Sequence, residues 1–285
     1  MPPTATSAQQ TSPSAVPSQA SALASTRLPA GKRCKHYVRY CLNKITGTQT
    51  RLDLELAGQS VSLSVTARRE IRRAHAVHHE IDFIERMSGA LRAGDTVYDI
   101  GANIGVITVL LAKQDNGSAN KIYSFEPEPK NFKQLTGNVA VNQLQQRVST
   151  HCIALGASEG EVALHIRGDA GEGRHSISEA KGATDSITVP LKTCAGFATE
   201  TGSSPNLIKI DVEGAEGQVL AGMLPLLQSN PPRDVFLEIH SKGEGDKMPD
   251  GRTIHQWFLD NDYQMVWNVE RRSGEHRQYR SNRFQ

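Results

Sequence analysis

From Thr96 onward, short apolar runs rich in β-branched residues alternate with stretches of helical period. That alternation constrains the fold more than any other feature of the chain. The strand-like runs cover 96–100, 121–125, 148–153, 206–210, 235–239 and 263–269. Helical stretches cover 106–114, 131–143, 215–227 and 253–261. A further pair of strands is expected around 162–166 and 187–190, joined by a Gly-rich loop at 168–182. Strands that are apolar nearly throughout, each followed by a helix, predict a mostly parallel sheet covered on both faces, the doubly wound α/β class. Ahead of it, Leu52, Leu54 and Leu56 alternate with polar residues, Gly58-Gln59 turns, and Val61, Leu63 and Val65 alternate again. This reads as a β-hairpin over 50–66. From 69 to 91 the spacing of Ile71, Ala74, Val77 (or His78), Ile81, Ile84, Met87 and Leu91 predicts one helix.

Charge divides the chain unevenly. Seven basic residues precede Asp53, the first acid, and the remainder carries 25 basic and 30 acidic residues. A mildly acidic body argues against nucleic acid as a partner. Residues 1–30 are Ser, Thr, Ala, Pro and Gln with almost no apolar anchor, so they cannot offset their ordering entropy and are expected to be a disordered tail. The domain reading is therefore a tail at 1–30, an extension with a hairpin at 31–68, and the main domain at 69–285. No apolar run approaches the roughly 20 residues a membrane span needs. The expected compartment is the cytoplasm. An organelle is the alternative, because the Ser-rich, acid-poor start also fits a transit peptide. Cys34, Cys41, Cys152 and Cys194 form no CxxC pair or zinc spacing and read as free thiols.

In an open α/β sheet, ligands bind beyond the carboxyl ends of the strands. The first strand of the alternating region runs into Asp99-Ile100-Gly101-Ala102-Asn103-Ile104-Gly105. Two glycines permit a tight turn and a close ligand approach. A dinucleotide loop needs G-x-G-x-x-G to seat a pyrophosphate, and this loop lacks that spacing. Asp99, just before the turn, would repel pyrophosphate but suits the ammonium of S-adenosylmethionine. Glu126 follows the next strand, where an acid can bind ribose hydroxyls. Read as structural residues only, Asp99 would be a turn or capping group and Glu126 a solvated loop acid.

Three blocks carry a family resemblance. They are Asp99–Gly105 with Thr108; Phe125-Glu126-Pro127-Glu128-Pro129 with Asn131-Phe132, Leu135 and Asn138-Val139; and Ile208-Lys209-Ile210-Asp211-Val212-Glu213-Gly214-Ala215-Glu216 with Val219-Leu220 and Gly222. In order and spacing, the stretch 99–238 resembles the FkbM-type methyltransferases. The resemblance implies a Rossmann-like class I methyltransferase fold, S-adenosylmethionine as cofactor, and methyl transfer, often to oxygen of small metabolites, sugars or lipids. One departure is visible. The family tends to show a Thr-Leu-Asp-like turn before the third block, and residues 192–197 here are Lys-Thr-Cys-Ala-Gly-Phe. The candidate cofactor-binding residues are Asp99, Gly101, Asn103, Gly105 and Glu126.

Methyl transfer needs alignment of acceptor and methyl and, for a hydroxyl, removal of a proton. Asp211 ends one strand, and Glu238 and His240 end another, on one face of it. If those strands are neighbours, Asp211, Glu238 and His240 converge as catalytic groups, or as ligands of a divalent metal. Each also has a plainer reading: Asp211 bonding its own loop, Glu213 pairing with Lys209, Glu238 and His240 bonding each other. His75 shares a helix face with His78 or His79, and 68–73 is an Arg-rich run; both read as solvated. Trp257, Phe258 and Trp267 read as core. The Arg-rich stretch 271–283 is either a cover over the acceptor or a surface tail. The loop 168–182 and the helix before 91 are candidate acceptor lids. The expected partner is a small-molecule or glycan-like acceptor. The alternatives are an NAD-dependent oxidoreductase, for which no hydride-site pair is found, and a non-catalytic cofactor-binding protein.

Overall fold

The computed structural model describes residues 50–56, 58–66, 68–76, 80–114, 120–166, 185–240, 246–271 and 274–284, together with Val38 and Cys41. The expected tail at 1–30, the loop at 168–182, Cys34 and the pair His78 and His79 lie outside the described residues.

The chain opens with the hairpin β1 (Thr50–Leu56) and β2 (Gln59–Val65), paired antiparallel from Thr50–Val65 to Leu56–Gln59. Leu52, Leu54 and Leu56 are buried while Arg51, Asp53 and Glu55 are exposed, so the period of two reads directly as burial. The single helix expected over 69–91 is instead two, α1 (Arg68–Ala76) and α2 (Ile81–Ala90). Glu80, at φ −110° and ψ 9°, stands outside helical geometry just before α2.

Strands and helices then alternate: β3 (Thr96–Ile100), α3 (Val106–Lys113), β4 (Lys121–Phe125), α4 (Pro129–Val141) and β5 (Val148–His151). A small three-stranded sheet follows, from β6 (Ala154–Leu155), β7 (Gly160–Ile166) and β8 (Asp185–Lys192). Next come α5 (Cys194–Thr201), β9 (Leu207–Ile210), α6 (Glu216–Ser229), β10 (Asp234–His240), α7 (Ile254–Asp260), β11 (Tyr263–Arg271) and β12 (Gly274–Ser281). The central sheet has the order β11-β12-β10-β9-β3-β4-β5. From β10 to β5 every pairing is parallel; β12 runs antiparallel between β10 and β11.

Parity sorts the sheet into two cores. Val97, Ile122, Leu207 and Phe236 face the hairpin, α2, α3 and α4. Tyr98, Ile100, Ile208, Ile210, Val235 and Leu237 face α5, α6 and α7. The hairpin is fastened to α4 by amides: Asn138 Oδ1 accepts from Ser64 N at 2.7 Å, and Asn142 Oδ1 from Ser62 N at 3.1 Å. These side chains satisfy donors on a strand edge that, among the described residues, no third strand covers.

The stretch 271–283 is neither a cover nor a surface tail: most of it is β12, buried in the sheet. Its arginines meet acids, with Arg277 forked onto Asp246 at 2.7 and 2.9 Å and Arg280 bonded to Asp234 at 2.8 Å. Among the described residues, no helix is long and apolar enough to cross a membrane. Cys41, Cys152 and Cys194 are free thiols.

Candidate active site at the carboxyl ends of the parallel strands

The strand order reverses between β3 and β9, which are nonetheless hydrogen-bonded neighbours. An α/β sheet opens a ligand crevice at such a switch point. The glycine turn stands over it. Gly101 has φ +77°, and a Cβ there would lie 1.8 Å from the Asp211 carbonyl oxygen. No other residue fits that approach. Gly101 N and Ala102 N both donate to Phe125 O, at 3.0 and 2.9 Å, which ties the turn to β4. Asn103 has φ +52° and Gly105 φ +84°. Asn138, from α4, donates to Ile104 O at 2.7 Å, so one side chain joins turn and hairpin.

Asp99 is fully buried and stands behind the turn. Its Oδ2 accepts from Thr108 Oγ1 at 2.6 Å, and its Oδ1 lies 3.0 Å from Lys209 Nζ. Lys209, on β9, also donates to Gly101 O at 2.8 Å and lies 3.6 Å from Asp211 Oδ2. Burial opposes its charge, but Asp99 and Asp211 together raise its pKa. Asp99 is not on the cleft wall; it fixes the lysine that holds the turn's carbonyl. Lys209 pairs with Asp99 and Asp211, and Glu213 is turned to His240 instead, at 3.7 Å from Nε2.

A cleft opens here, and Gly101, Asn103, Glu126, Asp211 and Glu213 lie on its wall. Glu126 is buried, and its oxygens accept from Asn103 N at 2.8 Å and Glu128 N at 2.9 Å. Burial raises its pKa to about 7. Beyond it, Phe125, Pro127, Ile153 and Leu155 form an apolar slot.

Neighbouring β9 and β10 do bring Asp211, Glu238 and His240 together. His240 Nε2 lies 3.6 Å from both Asp211 Oδ1 and Glu238 Oε1, while Nδ1 bonds Glu216 Oε1 at 2.9 Å. Burial opposes charge on His240, yet Glu216, Asp211 and Glu213 outweigh it and raise its pKa to about 10. Glu238 is held away from the cleft by Arg271 Nη1 at 3.0 Å and His276 Nε2 at 3.3 Å. Burial works against its ionisation, but His276 leads the groups that lower its pKa to about 2. Glu213, at φ +53° in the loop after β9, is pushed up to about 7, chiefly by burial. Among the described residues, Asp211, Glu213 and His240 are the group whose donor atoms all lie within 4.8 Å of one another.

Four contributors escaped the sequence reading in these roles: Lys209, Glu213, Glu216 and Arg73. The first three stand inside the third sequence block, but their partners come from other strands. Arg73 belongs to the Arg-rich run read as solvated. It reaches Glu80 at 3.3 Å and Asp211 Oδ2 at 3.6 Å, on the cleft wall.

A parallel sheet with a glycine turn at its switch point, a strand-end acid one strand over, and an antiparallel β12 describe a class I methyltransferase fold. The comparisons carry this to a family. Residues 99–265 match the FkbM methyltransferase domain. The chain is 30% identical over 190 residues to the hexuronic acid methyltransferase AglP of Haloferax volcanii, covering 66% of this chain and 73% of that protein. It is 27% identical over 168 residues to a fungal relative, Methyltransferase 1 of Beauveria bassiana, covering 52% of this chain and 66% of that protein. A solved FkbM methyltransferase from Methylobacillus flagellatus KT is similar at TM-score 0.48 and 16% identity, covering 76% of this chain and 56% of that one. The chain belongs to the FkbM methyltransferase family, and it is an S-adenosylmethionine-dependent methyltransferase.

Proposed function

We propose that this enzyme transfers the methyl group of S-adenosylmethionine to an oxygen of a sugar-like acceptor. The observation that carries the reading is a single cleft walled by the glycine turn, Glu126, and the Asp211–Glu213 loop. In this reading adenine occupies the apolar slot of Phe125, Pro127, Ile153 and Leu155, and Glu126 receives the ribose hydroxyls. Gly101, Asn103 and Gly105 shape the turn around the methionine portion, with Asp99 acting through Lys209. The acceptor side is Asp211, Glu213 and His240. The hexuronic acid substrate of the archaeal relative supports a polar, glycan-like acceptor. The acidic body of the chain weighs against nucleic acid.

The chemistry follows from the site. An acceptor hydroxyl loses its proton to the Glu213 carboxylate, whose raised pKa suits it to general-base work near neutral pH. The oxygen then attacks the methyl carbon in line, the carbon–sulfur bond breaks, and its electron pair stays on sulfur as S-adenosylhomocysteine. His240, charged and held by Glu216, keeps Asp211 and Glu213 from repelling one another. A second reading seats a divalent cation on Asp211, Glu213 and His240, favoured by their convergence and by Glu216 orienting the imidazole.

Calorimetric titration with S-adenosylhomocysteine and with NAD, then assay on hexuronate-containing oligosaccharides with and without manganese, tests this. We expect S-adenosylhomocysteine alone to bind, and Glu213→Gln to cut turnover on hydroxyl acceptors by about 100-fold or more with cofactor affinity preserved. Preference for NAD, or methylation of RNA and not of the sugar, refutes it. Turnover that depends on manganese favours the second reading.

A further inference from the structure

We propose that Arg73, carried by a helix that precedes the matched family region, is the clamp for the α-carboxylate of the cofactor's amino-acid group. The inference rests on the cofactor reading above and adds a residue to it. Among the described residues, the cleft wall carries carboxylates at Glu126, Asp211 and Glu213, and against them one guanidinium, that of Arg73. A second, smaller hollow shares Arg73, Gly101 and Asn103 with the cleft and is also lined by Lys209. Glu126 suits ribose, and Asp211, where the cofactor side meets the acceptor side and beside Arg73, suits the ammonium. The ligand's own carboxylate would be repelled by all three. It therefore needs a cation next to the turn; Lys209 is committed to Asp99, Asp211 and the Gly101 carbonyl, whereas Arg73 borders both hollows.

The geometry of the guanidinium suits the task. Arg73 Nη2 lies 3.6 Å from Asp211 Oδ2 and Nη1 3.3 Å from Glu80 Oε1. A zwitterionic head presents an ammonium and a carboxylate a few bonds apart. A neighbouring Asp and Arg complement that pair charge for charge. The planar fork offers five donors, so two carboxylate contacts leave others for a third. Glu80 anchors the side chain from the start of α2, buried and itself 3.9 Å from Arg271. Arg73 is thus restrained before ligand arrives, which lowers the entropy cost of binding. This gives α1 a function of its own: it delivers a cofactor contact from outside residues 99–265.

The test pairs the ligand's missing group with the protein's. S-adenosylhomocysteine and its decarboxylated analogue, S-adenosyl-3-thiopropylamine, are titrated into the full chain and into Arg73→Ala and Arg73→Lys. Arg73→Ala is expected to weaken S-adenosylhomocysteine by about 10- to 100-fold. It should change the decarboxylated analogue by about 2-fold or less, which also shows that the variant is folded. Arg73→Lys keeps the charge without the fork and should fall between. If both ligands weaken equally, Arg73 acts through Asp211 or Glu80 and the clamp is refuted. Unchanged affinity for S-adenosylhomocysteine refutes it as well, with the cofactor reading intact. If the unmodified chain binds neither ligand, the cofactor reading falls, and the clamp with it.

Discussion

Lys209→Met should destabilise the protein more than Asp99→Asn, and adding the second substitution to the first should restore stability. Asp99 and Lys209 are both almost wholly buried, with 3.0 Å between Oδ1 and Nζ. Removing one member of a buried pair costs about 3–5 kcal/mol, because the other is left charged in a poor dielectric. The two losses are unequal here. Without Lys209, Asp99 retains only the Thr108 hydroxyl at 2.6 Å, which puts Lys209→Met near the upper end. Without the Asp99 charge, Lys209 still has Asp211 at 3.6 Å and the Gly101 carbonyl at 2.8 Å. Asp99→Asn therefore falls at or below the lower end. The double variant carries no buried uncompensated charge at this spot, and should recover roughly 1–3 kcal/mol over Lys209→Met alone. Urea unfolding gives these energies, and melting should show the largest loss as roughly 6–20 °C. A double variant less stable than Lys209→Met would refute the pairing argument.

Two more predictions come from the turn and from the acid cluster. Gly101→Ala and Gly58→Ala share a positive φ, at +77° and +73°, but only the first puts a Cβ against backbone, 1.8 Å from Asp211 O. Both should lose about 1–2 kcal/mol for the conformation, and Gly101→Ala a further roughly 1–3 kcal/mol for the clash, with weakened S-adenosylhomocysteine binding; equal melting points would show that the turn yields. His240 has a folded pKa of about 10 against an ordinary 6.5, so its contribution to stability is complete below the ordinary value and is lost as pH rises through about 10. His240→Gln should flatten the stability profile in that window, measured by urea unfolding across it; an unchanged slope would mean the imidazolium is not held by its carboxylates.

How much of this was legible in the sequence depended on how local each signal is. The strands Thr96–Ile100 and Lys121–Phe125 read to the residue, because each is a short run dominated by β-branched, aromatic and apolar residues that stops where the loop begins. The helix Cys194–Thr201 was not read, since only Cys194, Phe197 and Ala198 of it are buried and Gly196 interrupts the pattern. Strand β12 was hidden by its own arginines. Their charge is cancelled by Asp234 and Asp246, acids 46 and 31 residues away along the chain, a relation no window of sequence contains. The site divides the same way. Gly101 and Glu126 announce themselves by type and position relative to strand ends. Lys209 gives no such sign, because its meaning comes from Asp99 on the adjacent strand.

That difference bears on why a buried ion pair stands at this place. Two apolar residues of similar volume would commonly stabilise a core as well or better than Asp99 and Lys209 do. They could not, however, donate to the Gly101 carbonyl or lie beside Asp211, and these are what Lys209 does with its remaining hydrogens. The turn is thereby held from behind by an ammonium, from β4 by the Phe125 carbonyl, and from α4 by Asn138. A loop fixed on three sides presents its cleft face without reorganising when a ligand enters, and methyl transfer depends on such alignment more than on chemical assistance. The double variant separates the two contributions. If it regains stability yet binds S-adenosylhomocysteine as poorly as Lys209→Met, the pair serves the geometry of the turn. If affinity returns along with stability, the pair serves only the fold.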